Sequence, residues 1–238
     1  MRYLVTSDLH YALRQLDWIS DQADEFDALV IAGDRLDAAG GADLNAQIAL
    51  FIAYLRKLGE RTTVIVNSGN HDLTARRPDG EKAALWMAEI GDSIVTDGAA
   101  VRVGDDLVSA CTWWEGDATR GELEEQLRRD ALTERPGAWI WAYHSPPDAS
   151  PTSWSGKRHF GDDVLNRLID EHHPDLVLTG HVHEAPYHPD GSWFDVVDGT
   201  TVLNAGRQTG PVPAHLIVDT GERTAEWWTF EGQGTIGF

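Results

Sequence analysis

The chain has 238 residues, 42% of them hydrophobic and 9% aromatic, and a formal charge of −20. That length and apolar content suit a sizeable α/β core, and no segment is repeated or low in complexity, which excludes a solenoid or a disordered chain. The charge argues against nucleic-acid polymers and anionic membrane surfaces as partners, although it serves solubility equally well, and a small anionic ligand stays admissible where bound cations reverse the local field.

The run Tyr3 to Val5 is too short for a signal-peptide core and reads as a strand. Leu13, Leu16 and Ile19 then recur at helical spacing, Ala28 to Ala32 is a second apolar run, Leu44, Ile48, Phe51 and Leu55 form a second helical stripe, and Thr62 to Val66 is a third strand. The front half is therefore predicted as β-α-β-α-β. Helical patterns return at Glu81 to Glu89, Gly121 to Arg129 and Asp162 to Glu171, the last ending at His172 and His173, where cationic forms suit the helix dipole. Val101 to Val103 and Leu107 to Ala110 form a strand pair around Gly104-Asp105, and Trp139 to Tyr143 and Leu176 to Thr179 are two more buried strands. Beyond Trp193, the runs Phe194 to Val197, Thr201 to Leu203, Leu216 to Val218 and Glu226 to Phe230 alternate with turns, as in an antiparallel finish. The pieces Ser145 to Gly156 and Gly206 to Pro213 are loops rather than linkers, so residues 1–238 are read as one domain. Cys111 is the only cysteine, which rules out an intrachain disulfide, and no segment approaches the roughly 20 apolar residues of a membrane helix. The expectation is a cytoplasmic protein.

Each of the five buried strands outside the tail and the 101–110 pair runs into polar residues with metal-ligand chemistry. Tyr3 to Val5 leads to Asp8-Leu9-His10, Ala28 to Ala32 to Gly33-Asp34, Thr62 to Val66 to Gly69-Asn70-His71-Asp72, Trp139 to Tyr143 to His144, and Leu176 to Thr179 to Gly180-His181-Val182-His183. Ligands of open α/β sheets bind outside the carboxyl ends of the strands, so these endings are predicted to converge. The set holds oxygen and imidazole donors without thiolate, which suits Mn, Fe or Zn. Asp8 and His10, like His181 and His183, are two residues apart, and in extended backbone such pairs project to one side. Gly33, Gly69 and Gly180 beside the donors permit sharp turns and close backbone approach. Taken singly, Asp8 or Asp34 would serve equally as a helix N-cap, but seven such positions together make coincidence improbable.

These motifs, D-x-H, G-D-x-x-D, G-N-H-D, a lone His and G-H-x-H in that order, closely resemble the calcineurin-like metallophosphoesterase superfamily, over Asp8 to His183. The resemblance implies a four-layer α-β-β-α sandwich of two mixed sheets flanked by helices. It implies two divalent cations, Mn first and then Fe, Zn or Ni, with Asp8, His10 and His183 on one ion, Asn70, His144 and His181 on the other, and Asp34 bridging them. A carboxylate can share its oxygens between ions about 3.5–4 Å apart, where a bridging water becomes a nucleophile near neutral pH. His71 is then the general acid, with Asp37 as its carboxylate partner and Asp72 the less favoured alternative. The implied activity is hydrolysis of a small phosphoester. A diester is preferred because Gly180 to Glu184 and the later stretch Val202 to Gly206 are similar to small bacterial cyclic-nucleotide-type phosphodiesterases. Protein phosphatases of the superfamily carry Arg-Gly after G-D-x-x-D, whereas Ala38-Ala39 follow Asp37 here.

Alternatives are a phosphomonoesterase, a nuclease, which the charge opposes, and a catalytically silent scaffold, whose members usually lose ligands. Trp113, Trp114 and Trp154 fall in loops bordering the site or in its rim packing, and Lys157 and Arg158 form a solvated pair or phosphate contacts. The remaining His159, His172, His173, His188 and His215 are not read as ligands, and the protein is expected to be a monomer or homodimer.

Overall fold

The computed structural model describes residues 1–238. The chain forms β1 (Arg2–Thr6), α1 (Leu13–Gln22), β2 (Ala28–Ala32), α2 (Leu44–Gly59), β3 (Thr63–Asn67), β4 (Ala75–Arg76), β5 (Lys82–Ala83), β6 (Ala100–Val103), β7 (Asp106–Ala110) and α3 (Asp117–Ala131). It continues through β8 (Trp139–Ala142), α4 (Asp163–His172), β9 (Leu176–Thr179), β10 (Phe194–Val197), β11 (Thr200–Asn204), β12 (His215–Asp219), β13 (Thr224–Trp228) and β14 (Gln233–Gly237). Two six-stranded mixed sheets result, ordered β14-β13-β12-β1-β2-β3 and β10-β11-β9-β8-β7-β6, with β4-β5 as a separate ribbon.

The near-continuous apolar runs of the central strands follow from burial on both faces. Side chains alternate across a strand, so Tyr3 and Val5 of β1 enter the layer between the sheets, where they meet Val108, Ile140, Leu176 and Leu203 of the other sheet. Leu4, with Leu29 and Val64, points outward to Leu16 and Ile19 of α1 and Phe51 and Leu55 of α2. On the opposite flank Trp139, Trp141 and Val177 pack on Leu123 and Leu127 of α3 and Leu165 and Leu168 of α4. Three apolar cores thus separate four layers, as the resemblance implied.

Strands β1, β2 and β3 run parallel, as do β7, β8, β9 and β11. Their carboxyl ends line one edge, and this places the polar loops together. The tail divides, because β12 to β14 extend the first sheet antiparallel to β1 while β11 joins the second sheet parallel to β9. No helix is long and apolar enough to cross a membrane.

The helix expected over Glu81 to Glu89 is instead β5 followed by a 3-10 turn at Leu85–Glu89. Tertiary contacts override the helical composition. Trp86 Nε1–H donates to the Asp72 carbonyl at 3.0 Å. Glu81 receives Ala118 N–H and Thr119 N–H, each at 2.9 Å, and so closes the first turn of α3, whose own N-cap is Gly116. Strand β14 contains one large apolar residue, Ile236, and was not anticipated.

At the opposite edge Tyr3 Oη–H donates across the sheets to Asp106 Oδ2 at 2.8 Å, which also accepts from Thr220 Oγ1 at 2.6 Å. Tyr3→Phe removes one buried bond to a carboxylate, which costs about 1–2 kcal/mol. Urea unfolding is expected to show that loss with metal content unchanged.

Candidate metal centre

The loop after β1 leaves extended geometry at once, with Asp8, His10 and Tyr11 at φ 53°, 40° and 61°; Asp34 (48°) and His181 (65°) share the left-handed region. Four of the seven expected donors therefore sit in backbone that L residues rarely adopt, at about 1–3 kcal/mol each. This corrects the expectation of strand alternation, since Asp8 and His10 are aimed by a left-handed turn. Hydrogen bonds hold it there. Asp8 N–H donates to Gly33 O at 3.3 Å, His10 N–H to Asp34 O at 3.1 Å and Tyr11 N–H to Arg35 O at 2.8 Å, so the first loop is zippered to the second. Neither Asp8 nor Asp34 caps a helix; those positions belong to Ala12 and Asp43.

The side chains form adjoining groups with ligand atoms within 4.8 Å of one another: Asp8, His10 and His183; Asp34, His144 and His181; and His10, Asp34 and His71. Asn70 joins the second group through Oδ1, 2.9 Å from His181 Nδ1. All seven expected donors are thus brought together, and His181 and His183 go to different groups. Asp34 faces both, with Oδ2 3.2 Å from His144 Nε2 and 3.9 Å from His10 Nε2. Its Oδ1 accepts the His71 N–H at 2.8 Å, and both oxygens of Asp8 accept the His181 N–H at 3.1–3.2 Å.

The imidazoles fit divalent cations. His144 Nδ1 lies 2.7 Å from the Ala32 carbonyl, which only accepts, so Nδ1 carries a proton and Nε2, buried beside Asp34, is the atom turned to the donor group, where a cation would displace any proton it holds. His10 Nδ1 is likewise turned to the Leu36 carbonyl at 3.3 Å, and its Nε2 meets His183 Nε2 at 3.1 Å. Burial works against the charge of Asp8, yet the hydrogen bond from His183 and the neighbouring imidazoles hold its carboxyl below the ordinary range. Burial alone would lower His144, but the Asp34 carboxylate overrides it and raises the imidazole to about 9, whereas burial takes His181 down to about 4.

The glycines are cradles. A Cβ on Gly69 would stand 2.2 Å from Asp34 Oδ1, one on Gly180 2.3 Å from Asp8 Oδ2, and one on Gly33 2.2 Å from His144 Nδ1.

His71 borders the groups, with Nε2 4.0 Å from Asp34 Oδ2, its ring edge-on to His10 at 4.7 Å and its side chain 37% exposed. The expected partner is not beside it. Asp37 is drawn to α2, where its N–H donates to Gln47 Oε1 at 2.8 Å, and its carboxylate accepts the Ala39 N–H at 3.0 Å. Nor is it Asp72, whose buried carboxylate accepts Arg35 N–H, Leu36 N–H and Gly69 N–H at 3.0–3.2 Å and the Arg35 guanidinium at 2.9 Å. Asp72 with Arg35 was missed as a brace of the site; an Arg inside G-D-x-x-D was its only sequence signal. Asp97 was missed too: half-buried, it accepts Ser68 N–H at 2.7 Å, and Ser68 Oγ in turn accepts Trp113 N–H at 2.9 Å. Trp113 lies against His181 and His144 at 5.3 and 5.7 Å, whereas Trp154 packs on His159 and His188. None of the other five histidines enters a donor group.

A family model for calcineurin-like phosphoesterases matches residues 1–185, and the chain belongs to that family. No curated protein sequence matches it. Among solved structures it is similar to TT1561 of Thermus thermophilus, with TM-score 0.59 and 16% identity over 99% of this chain and 98% of that one. It is also similar to the Escherichia coli phosphoesterase Yfce, with TM-score 0.48 and 13% identity over 100% and 97%. A third similar structure is Vacuolar Protein Sorting 29 from Cryptosporidium parvum, with TM-score 0.45 and 11% identity over 99% and 95%.

Gly69→Ala forces Asp34 from its place, so the purified variant is expected to carry less metal than the parent by elemental analysis, and equal loading would contradict the cradle. Burial raises Asp97 to about 6, so its protonated form is favoured in the folded state. That contribution is complete below the ordinary carboxylate range and fades as pH rises through about 6. Asp97→Asn should therefore gain on the parent between pH 5 and pH 8, by at most about 1.5 kcal/mol in urea unfolding.

Proposed function

We propose that the protein is a metal-dependent hydrolase of small phosphoesters, with a preference for diesters. The observation that carries this reading is the pair of donor groups meeting at Asp34. Asp8, His10 and His183 would hold one divalent cation, and Asn70, His144 and His181 a second, with Asp34 shared. Such a pair supplies Lewis-acid activation of water and of phosphoryl oxygens when bound. The mixed oxygen and imidazole, thiolate-free set admits Mn, which the resemblance puts first, and equally Fe, Zn or Ni.

The chain's own residues do the rest. His71 stands at the rim, exposed enough to exchange protons with solvent and close enough to Asp34 and His10 to reach a group bound between them, and we assign it the donation of a proton to the departing oxygen. With Asp37 engaged elsewhere, its orientation comes from its backbone bond to Asp34 and the edge contact with His10. The diester preference draws support from two openings on different sides: one of about 450 Å³ at His144 and His181, another of about 230 Å³ at His183 and Arg207. A diester carries two organic groups and uses both. The −20 charge speaks against nucleic acid, and the complete donor set against a silent scaffold.

Purified protein reconstituted with Mn, Fe, Zn or Ni should hydrolyse model diesters faster than monoesters, with Asp34→Asn losing both metal and turnover. Metal-loaded protein inert toward every ester would leave the binding or scaffold reading in its place. His71→Gln should lower kcat by roughly 10²-fold or more on esters with alkoxide leaving groups. On p-nitrophenyl esters, whose leaving group needs no proton, the loss should be much smaller; equal losses on both would remove His71 from that role.

A further inference from the structure

The larger opening has a chemistry of its own. Its walls include the rings of Trp113, Trp114, Tyr143 and Phe160, and it reaches the donor groups directly, because His144 and His181 line it as well. The rings are held in place. Trp114 Nε1–H donates to Asp162 Oδ2 at 2.8 Å, Tyr143 Oη–H donates to the same oxygen, and Asp162 Oδ1 accepts the Val164 N–H at 2.9 Å at the start of α4. Trp113 leans on His181 at 5.3 Å, and its Nε1–H is buried without a partner. Phe160 lies at the mouth, 42% exposed, with the Arg158 guanidinium 4.1 Å above its ring.

Charge restricts what can enter. Glu115, Asp162 and Asp163 stand on the walls, with Arg158 the one Lys or Arg among the lining residues and His144 confined to the end that meets the donor groups. A second anionic group inside would meet three carboxylates, while aromatic faces attract any flat ring because every such ring has a π-face. The volume falls in the range of small-molecule sites, and an acyl chain would bring an anionic lipid surface that the net charge repels.

We propose that this cavity seats a flat, uncharged aromatic or heteroaromatic ring carried by the phosphoester, with Phe160 and Trp114 as the residues that select it. The assignment deepens the hydrolase reading, and the ring site itself can be tested without turnover. Adenosine, which has a neutral ring and no phosphate, is titrated into metal-free protein and followed by saturation-transfer NMR, beside ribose and benzoate.

Saturation is expected on the base protons of adenosine, with ribose and benzoate silent, and Phe160→Ala should weaken adenosine binding at least fivefold. Phe160→Leu, which keeps an apolar side chain there, should weaken it less than Phe160→Ala does. In metal-loaded protein adenosine should compete with an aryl phosphodiester, and Phe160→Ala should raise KM more than it lowers kcat. Turnover of esters without any adenosine binding, or binding indifferent to both Phe160 substitutions, would overturn the ring site and leave the hydrolase reading intact. Adenosine binding in a protein inert toward all esters would do the reverse.

Discussion

The site depends on the placement of Asp34. Its carboxylate lies 2% exposed between two donor groups, with an imidazole at 3.2 Å on one side and another at 3.9 Å on the other. Bringing Asp8, Asp34 and five imidazoles this close works against folding, because buried carboxylates repel one another and the loops are held in left-handed conformations. The fold does not avoid that cost. It concentrates it at the one edge where parallel strands end, as expected of a centre whose stability is completed by a bound charge of opposite sign.

What keeps the arrangement from relaxing is a second, smaller device. Strands β2 and β3 are paired with Ala32 opposite Asn67, so the loops that follow them leave side by side. Asp72 reaches between the loops and accepts from three backbone amides and the guanidinium of Arg35, which also donates to the Asn67 carbonyl at 2.9 Å. A buried ion pair contributes little net stability against an apolar substitute, but its directional bonds fix one geometry. Here that geometry brings Gly69 against Asp34, so the brace holds the carboxylate in place without touching either donor group's imidazoles.

The donors were legible because each is local to a strand end. A buried strand announces itself by an apolar run, and the residue types that follow Val5, Ala32, Val66, Tyr143 and Thr179 carry the ligand chemistry in short motifs. The layers were legible for a similar reason, since strands buried on both faces read as unbroken runs. What was not legible depends on contacts far apart in sequence. Nothing around Glu81 reveals that its carboxylate closes the first turn of α3, and nothing around Asp37 shows that Gln47 binds its backbone on both sides. The left-handed turn at Asp8 was hidden as well, because Asp and His, though enriched at positive φ among non-glycine residues, adopt extended or helical backbone far more often, so their presence alone does not mark such a turn.

The same limit applies to electrostatics. A net charge of −20 describes the exterior, yet the response of an anion at the site is set by groups within a few ångströms. Those groups separate into two environments. Around Asp34 the imidazoles and prospective cations favour a phosphoryl group, while the adjoining cavity presents carboxylates and ring faces that favour an uncharged one. An ester with its charge confined to phosphorus satisfies both at once, whereas a polyphosphate or nucleic-acid strand would push negative charge against Glu115 and Asp163. In the proposed ring site it is these local carboxylates, rather than the overall charge, that would penalise every anionic group except the one that reacts.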